Sequence, residues 1–184
     1  MAPSSTSPQP VGIFPQFIST KPETIIFTNP ICLANGTPIL HIEANSVYSR
    51  TYKKKMYDAE GRHLCNLVKS NLHGFTPLII EDPQGKTVTE VKSGYKLFGS
   101  KFTATFTGLN GKVTTLSMKG NAHESHAEIK DETQGGIIVA QIVRETQKMF
   151  SKTVTYTMQV PPGVDMALMV AVALAWTGRM SVWT

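Results

Sequence analysis

The segment "NAHESHAEIKD", residues 121–131, holds the densest group of side chains that could bind a metal ion or transfer a proton. His123 and His126 lie three residues apart, with Glu124 and Glu128 on either side of His126. On a helix the two histidines would share a face and could bind a metal, whereas on a strand residues three apart point to opposite faces. The chemistry of this segment therefore depends on its secondary structure.

Apolar Ala127 and Ile129 alternate with charged residues in this segment, which predicts a strand. On a strand Glu124, His126 and Glu128 would line one outer face and form a weak candidate site for a metal or a proton. A solvated strand face is the favoured interpretation. We expect neither a metal nor another cofactor.

The two cysteines, Cys32 and Cys65, are too few for a disulfide framework or a cysteine zinc site. Both are interpreted as free thiols in a reducing compartment. Cys65 lies in an apolar strand pattern and is predicted to be a core residue. Cys32 lies in the loop-like "NPICLANG" and is the better candidate for modification.

Basic residues are concentrated in "SRTYKKKMYD" and in the hairpin that follows it. The candidate anion-binding residues are Arg50, Lys53, Lys54, Lys55, Arg62 and Lys69. Between residues 49 and 70 only Asp58 and Glu60 oppose these six charges. Lysines also protect exposed sheet edges from pairing with other chains, and this second interpretation stays open.

The chain contains no nucleophile elbow, phosphate-binding loop or dinucleotide fingerprint, each of which has a strict spacing. We therefore expect no catalytic residue and predict that the protein is not an enzyme. The formal net charge of +5 favours acidic partners only weakly. No nucleic acid partner is expected.

The elements that position these residues are indicated by a regular series of turns. Tetrapeptides ending at Gly36, Gly61, Gly85, Gly111 and Gly135 resemble hairpin turns, and they follow one another every 24 to 26 residues. That interval has room for two strands and two turns, so the chain is predicted to be a series of hairpins.

Three segments support the strand prediction by their hydrophobic pattern. "KFTATFTG" and "KTVTYTMQV" alternate apolar and polar residues, as half-buried antiparallel strands do. "GIIVAQIV", from Gly136, is apolar on both faces and is predicted to be covered on both sides.

The most apolar stretch is Met166–Trp176, which has 11 residues and lacks a polar face. A helix needs about 20 residues to cross a bilayer, and a helix that is apolar all round must be buried all round. Asp165 is expected to cap this helix, Val164 to pack on Met169, and Leu168, Val170 and Leu174 to belong to its core. A closed antiparallel sheet around a central helix is the predicted fold, and packing of sheets on the helix is the alternative.

The N-terminal segment is predicted to be a disordered tail because it is rich in serine and proline. We place this tail at residues 1–18 and a single barrel domain at residues 19–184. The tail has no basic and apolar regions of the kind that form a secretory signal, so an intracellular, cytoplasmic location is expected.

Three segments together resemble the LURP-one-related proteins: "KMYDAEGRHLCNLVKS", the hairpin "EDPQGKTV" and "VPPGVDMALMVAVALA". The resemblance covers residues 19–178, and "PGVD" followed by an apolar helix is its most specific part. It implies a barrel of twelve strands around the helix and a relationship to the tubby C-terminal domain and the phospholipid scramblases. The ending "TGRMSVWT" departs from the family pattern, with Gly178 as a predicted helix stop and Arg179 after it.

The resemblance implies a non-catalytic barrel that binds an anionic phospholipid or a protein partner in a regulatory or accessory role. We expect a monomer that can lie at a membrane surface. A small enzyme or ligand carrier with a cavity at a barrel end is one alternative. A tail-anchored, scramblase-like membrane protein, with Arg179 reaching the headgroups, is the other.

Overall fold

The computed structural model describes residues 9–44, 51–70, 78–95, 100–120, 126–146 and 154–176. Within these ranges lie twelve strands, one α-helix and two short 3₁₀ helices at Pro15–Phe17 and Glu132–Gln134. The strands are β1 (Glu23–Phe27), β2 (Ile31–Leu33), β3 (Pro38–Ala44), β4 (Thr51–Asp58), β5 (His63–Ser70), β6 (Leu78–Glu81), β7 (Thr87–Tyr95), β8 (Ser100–Thr107), β9 (Val113–Gly120), β10 (His126–Asp131), β11 (Ile137–Thr146) and β12 (Val154–Val160). The helix α1 (Met166–Trp176) follows the last strand.

The strands form one closed antiparallel barrel. Each strand pairs with its neighbours in the chain, and β1 closes the barrel by pairing with β12 from Glu23 opposite Val160 to Phe27 opposite Tyr156. This confirms the predicted fold class. Closure leaves the barrel without an edge strand, so lysines are not needed to guard one.

The five predicted glycine turns lie at one rim of the barrel. Gly36, Gly61, Gly85, Gly111 and Gly135 each have a positive φ, which a residue without a Cβ adopts easily. Each turn follows an even-numbered strand, and in an antiparallel meander all such connections lie at the same end. The regular interval of 24 to 26 residues between these glycines therefore contains two antiparallel strands, one that leaves the rim and one that returns to it. We call this end the glycine rim.

The helix α1 occupies the interior of the barrel. Residues 167–174 are all at most 2% exposed, as expected for a helix that has no polar face. The inward side chains of the strands supply apolar surroundings, among them Ile25, Leu40, Met56, Leu67, Ile80, Leu116, Ile129, Ile142 and Met158. The prediction of a helix buried on every side is confirmed.

The alternation predicted for β8 is present, and the prediction for β11 is wrong in part. Ala104 and Phe106 are buried on β8, while Thr105 is exposed. On β11 a bulge opposite β10 shifts the register, and Ile137 and Ile138 are 37% and 40% exposed. That strand is thus covered on both sides over part of its length only.

Residues 9–19, which we call the N-terminal strap, cross the glycine rim. Val11 and Phe17 are buried, and the strap pairs with the start of α1 through Val11 opposite Val164 and Ile18 opposite Asp165. The tail boundary predicted at residue 18 therefore differs from the structure, because apolar side chains from Val11 onward pack into the fold. Residues 1–8 lie outside the described ranges.

Candidate functional site

The three consecutive lysines of β4 do not share a surface. Strand alternation places Lys54 on the inner face with Met56, and Lys54 is only 1% exposed. Burial lowers the pKa of its amine. Lys53 and Lys55 face outward and are half-buried. The prediction that Lys54 belongs to an exposed anion-binding cluster is thus corrected, because its side chain points into the barrel.

Acidic residues accompany the outward basic residues. The Nζ of Lys53 lies 3.5 Å from Oε2 of Glu81 on β6, and Lys55 lies opposite Glu43 on β3. Both pairs lie on what we call the β3–β6 outer face, which consists of the outward side chains of β3, β4, β5 and β6. The local excess of positive charge is smaller than the sequence between residues 49 and 70 indicates.

Arg62 lies at the glycine rim, in the turn between β4 and β5. Its Nη2 lies 3.1 Å from Oε2 of Glu60, and its Nε bonds to the buried carboxylate of Asp58. These contacts raise the pKa of Arg62, with Asp58 as the main cause. Lys69 is half-buried on β5 and pairs with Leu78 of β6, whose side chain faces inward. Arg50 lies outside the described residues.

Three aromatic rings form a row on the β3–β6 outer face. The rings of His41 and Tyr57 are stacked, with centroids 4.8 Å apart and an interplanar angle of 9°. His63 follows on the other side of Tyr57 at 5.1 Å. Desolvation, followed by the charge and hydrogen bond of Glu43, raises the pKa of Tyr57. Sequence reasoning missed this row, although the hairpin turn at Gly61 places Tyr57 opposite His63.

The described part of the candidate metal segment, His126–Asp131, forms β10, as the strand interpretation predicted. His126, Glu128 and Lys130 face outward, and Nζ of Lys130 lies 2.9 Å from Oε2 of Glu128. The hydrogen bond from Lys130 lowers the pKa of Glu128. Glu124 and His123 lie outside the described ranges. Among the described residues there is no group of three or more histidine, cysteine or acidic side chains that could hold a metal.

The two cysteines differ in their surroundings. Cys65 is buried, and desolvation together with the charge of Asp165 raises the pKa of its thiol to about 12. A thiol of this kind is unreactive near neutral pH. Cys32 lies on β2 rather than in a loop, and it is half-exposed.

Asp165 caps α1 and also holds the N-terminal strap. Its Oδ1 accepts a hydrogen bond from the backbone N–H of Leu168 at 3.0 Å, as a cap residue does. Its Oδ2 accepts from the N–H groups of Ile13 at 2.9 Å and Phe14 at 2.7 Å. Burial raises the pKa of this carboxyl group to about 6, against the lowering effect of these donors. Leu168, Val170 and Leu174 are buried, as predicted.

A groove of about 550 Å³ lies at the start of β1 and β11 and the end of β12, next to the glycine rim. Ile138, Gln141 and Gln159 line it, together with Pro22 and Glu23. Glu23 is paired with Lys21 at 3.7 Å.

No helix within the described residues is long and apolar enough to cross a membrane.

A sequence model of the LURP-one-related family matches residues 21–177. The chain belongs to the LURP-one-related family. The match includes all twelve strands and α1, and the N-terminal strap precedes it. No curated protein matches this LURP-one-related chain. An X-ray structure of a protein from Arabidopsis thaliana is similar to it, with 13% identity, a TM-score of 0.40, and coverage of 93% of this chain and 98% of that one.

Proposed function

We propose that this LURP-one-related barrel is a non-catalytic binding module that recognises anionic phospholipid headgroups at a membrane surface. The observation that carries the proposal is the occupied interior, since residues 167–174 of α1 are at most 2% exposed. A barrel filled by its own helix binds ligands through its outer faces and rims. The proposed location is intracellular and peripheral to a membrane, and the proposed binding needs no cofactor.

The β3–β6 outer face is the proposed membrane-binding surface. Lys53 and Lys55 point outward from adjacent positions of one face of β4. Near an anionic membrane each basic side chain contributes about 1 kcal/mol. Glu43 and Glu81 lie beside these lysines and oppose part of that attraction. The expected binding is therefore weak, reversible and sensitive to salt.

The aromatic row supports the same surface. Tyrosine is favoured at membrane–water interfaces because its ring is apolar and its hydroxyl is polar. Tyr57 lies two residues from Lys55 on the outward face of β4, between His41 and His63. The resemblance to a superfamily whose tubby members bind phosphoinositides supports the ligand class, but it assigns no individual residue.

Vesicle flotation tests the proposal. Wild-type protein should float with phosphoinositide-containing vesicles at low salt and less with neutral vesicles. The variant K53A/K55A should float several-fold less. The matched control is K86A/K112A, which removes the same charge from exposed residues in turns of the glycine rim.

The comparison of the two variants separates surface recognition from net charge. Equal loss in both variants would show that only the total charge matters, and the proposed surface would be wrong. No loss in either variant would turn the search toward a protein partner. Circular dichroism of both variants checks that each barrel is folded.

A further inference from the structure

We propose that residues 9–19 form a detachable strap, latched by Asp165, whose release uncovers the start of α1 while the barrel stays closed. The strap contributes no strand to the barrel, because β1 to β12 close the sheet without it. Its regular backbone contacts are two isolated bridges and the turns of the glycine rim. A segment outside the paired strands has fewer regular backbone hydrogen bonds to break, and it can open locally at a lower free energy than the core.

The latch is formed around the carboxylate of Asp165. The Oδ2 atom accepts the two strap N–H groups of Ile13 and Phe14, while Oδ1 keeps its bond to the helix. The strap backbone also brackets this residue, since Val11 accepts a bond from the N–H of Asp165 at 2.9 Å. The side chain of Asp165 thus caps α1 and holds the strap at the same time.

Gly12 allows the strap to lie directly on Asp165. A Cβ atom at position 12 would lie 2.3 Å from Cβ of Asp165 and 2.9 Å from its Oδ2. Real Cβ atoms do not approach so closely, so any side chain here must displace the strap. The fit between Gly12 and Asp165 gives a second, independent way to open the latch.

Both ends of the strap are held at the glycine rim. Ser19 donates from Oγ to the carbonyl of Pro161 at 2.6 Å, next to the entry of α1. At the other end Gln9 exchanges hydrogen bonds with Gln134, which in turn donates to Oδ2 of Asp131 at 2.8 Å. Release at Asp165 therefore frees the middle of the strap between these two attachments.

Opening should depend on pH because it moves a buried carboxyl group into water. In the latched state burial raises the pKa of Asp165 to about 6, and in water the carboxyl returns to an ordinary value of about 4. The latched state thus binds the proton more tightly, and opening becomes easier as the pH rises from about 4 to about 6, by up to about a hundredfold.

The groups around Asp165 do not account for that pH range. Cys65 on β5 interacts with Asp165, and its thiol stays protonated because its pKa is raised to about 12. The strap residues Ile13, Phe14 and Ile18 and the helix residues Ala167 and Leu168 bring no ionisable side chain. At the far end of the strap the charged neighbour is Asp131, reached through Gln134.

Native-state hydrogen exchange, corrected for intrinsic rates, tests the strap. In wild type the amides of Ile13 and Phe14 should exchange at least tenfold faster than those of β1 and β12. In D165N the side chain cannot titrate, so strap exchange should lose its dependence on pH, and in G12A the added methyl pushes the strap away. G12A should speed strap exchange at least tenfold, and both variants should leave the exchange of β1 and β12 unchanged.

The matched control is D82N, which changes a carboxylate of the same rim that binds the N–H groups of Gln84 and Lys86 and does not contact the strap. It should leave strap exchange unchanged. If D165N does not fold, G12A still decides the matter because it keeps the carboxylate. Strap amides that exchange only together with the barrel amides, or an opening equilibrium that is the same at pH 4 and pH 6, would overturn the proposal.

Discussion

The three consecutive lysines of β4 are the same residue type, yet their side chains have different surroundings. The alternation of a strand requires that the middle residue face opposite to its neighbours. Lys54 shares the inner face with Met56 and Asp58, and this spacing was the signal available in the sequence. The sequence predicted that some of the lysines reach solvent. The buried Met56, two residues after Lys54 on the same strand, shows that Lys54 faces inward and its two neighbours outward.

Amine labelling of the native protein should distinguish these lysines. Lys53 and Lys55 should react with a succinimidyl ester, whereas Lys54 should stay unmodified because it is 1% exposed and its amine has no access to the reagent. Mass spectrometry of the peptides gives the occupancy of each site. After denaturation all three should react equally, and native labelling of Lys54 would contradict its inward position.

Thiol alkylation at neutral pH should distinguish the cysteines in the same way. Cys32 should be modified because it is half-exposed. Cys65 should react at least tenfold more slowly, since the reagent needs a thiolate and the pKa of this buried thiol is raised to about 12. Comparable rates for the native C32S and C65S variants would show that β5 opens or is placed differently.

At the scale of the elements, the helix and the glycine turns followed from the sequence because each depends on local chemistry. A helix without a polar face must be surrounded, and a turn with positive φ favours glycine. The strap and the bulge of β11 did not follow in the same way. Val11 and Phe17 lie in the short apolar segment "VGIFPQFI", and their burial depends on contacts with α1 and the barrel rim that are distant in the sequence.

The candidate site residues show the same division. The outward positions of His126 and Glu128 follow from alternation along one strand. The aromatic row needs the register of three strands, β3, β4 and β5, and the bulge between β4 and β5 sets the pairing of Tyr57 with His63. Register over several strands is not specified by any single segment of the sequence.

Substitution of Val170 by aspartate should unfold the protein. Val170 is fully buried in α1, and an unpaired charge there costs several kcal/mol against a total stability of roughly 5–15 kcal/mol. The control is T105D on the exposed face of β8, which should stay folded. Circular dichroism and thermal unfolding report the outcome, and a V170D variant that stays folded but leaves a membrane fraction would favour the tail-anchored alternative.

At the scale of the whole molecule, the barrel and its helix depend on each other. Twelve strands closed in a ring enclose the helix α1, and the inward side chains of the strands form one core cluster with it. A cavity left in a protein interior is destabilising in proportion to its volume. The barrel is therefore not expected to exist as a hollow structure.

A chain that ends after Pro161 tests this dependence. It keeps all twelve strands and lacks α1, so it should show no cooperative thermal transition and should bind a hydrophobic dye. A second measurement adds a synthetic peptide of residues 162–184 and looks for recovery of the transition. Cooperative unfolding of the shortened chain alone would show that the strands form a stable core without the helix.

The position of α1 in the chain also sets the order in which the protein can be completed during synthesis. β1 begins at residue 23 and α1 begins at residue 166, so the first strand leaves the ribosome long before the helix that it must surround. At 5–20 residues per second this interval is roughly 7 to 30 s. Because β1 pairs with β12, neither the ring nor its core can form earlier. Throughout that time the nascent strands expose their apolar faces, and a chaperone that shields extended apolar chains would act on this protein until α1 is made.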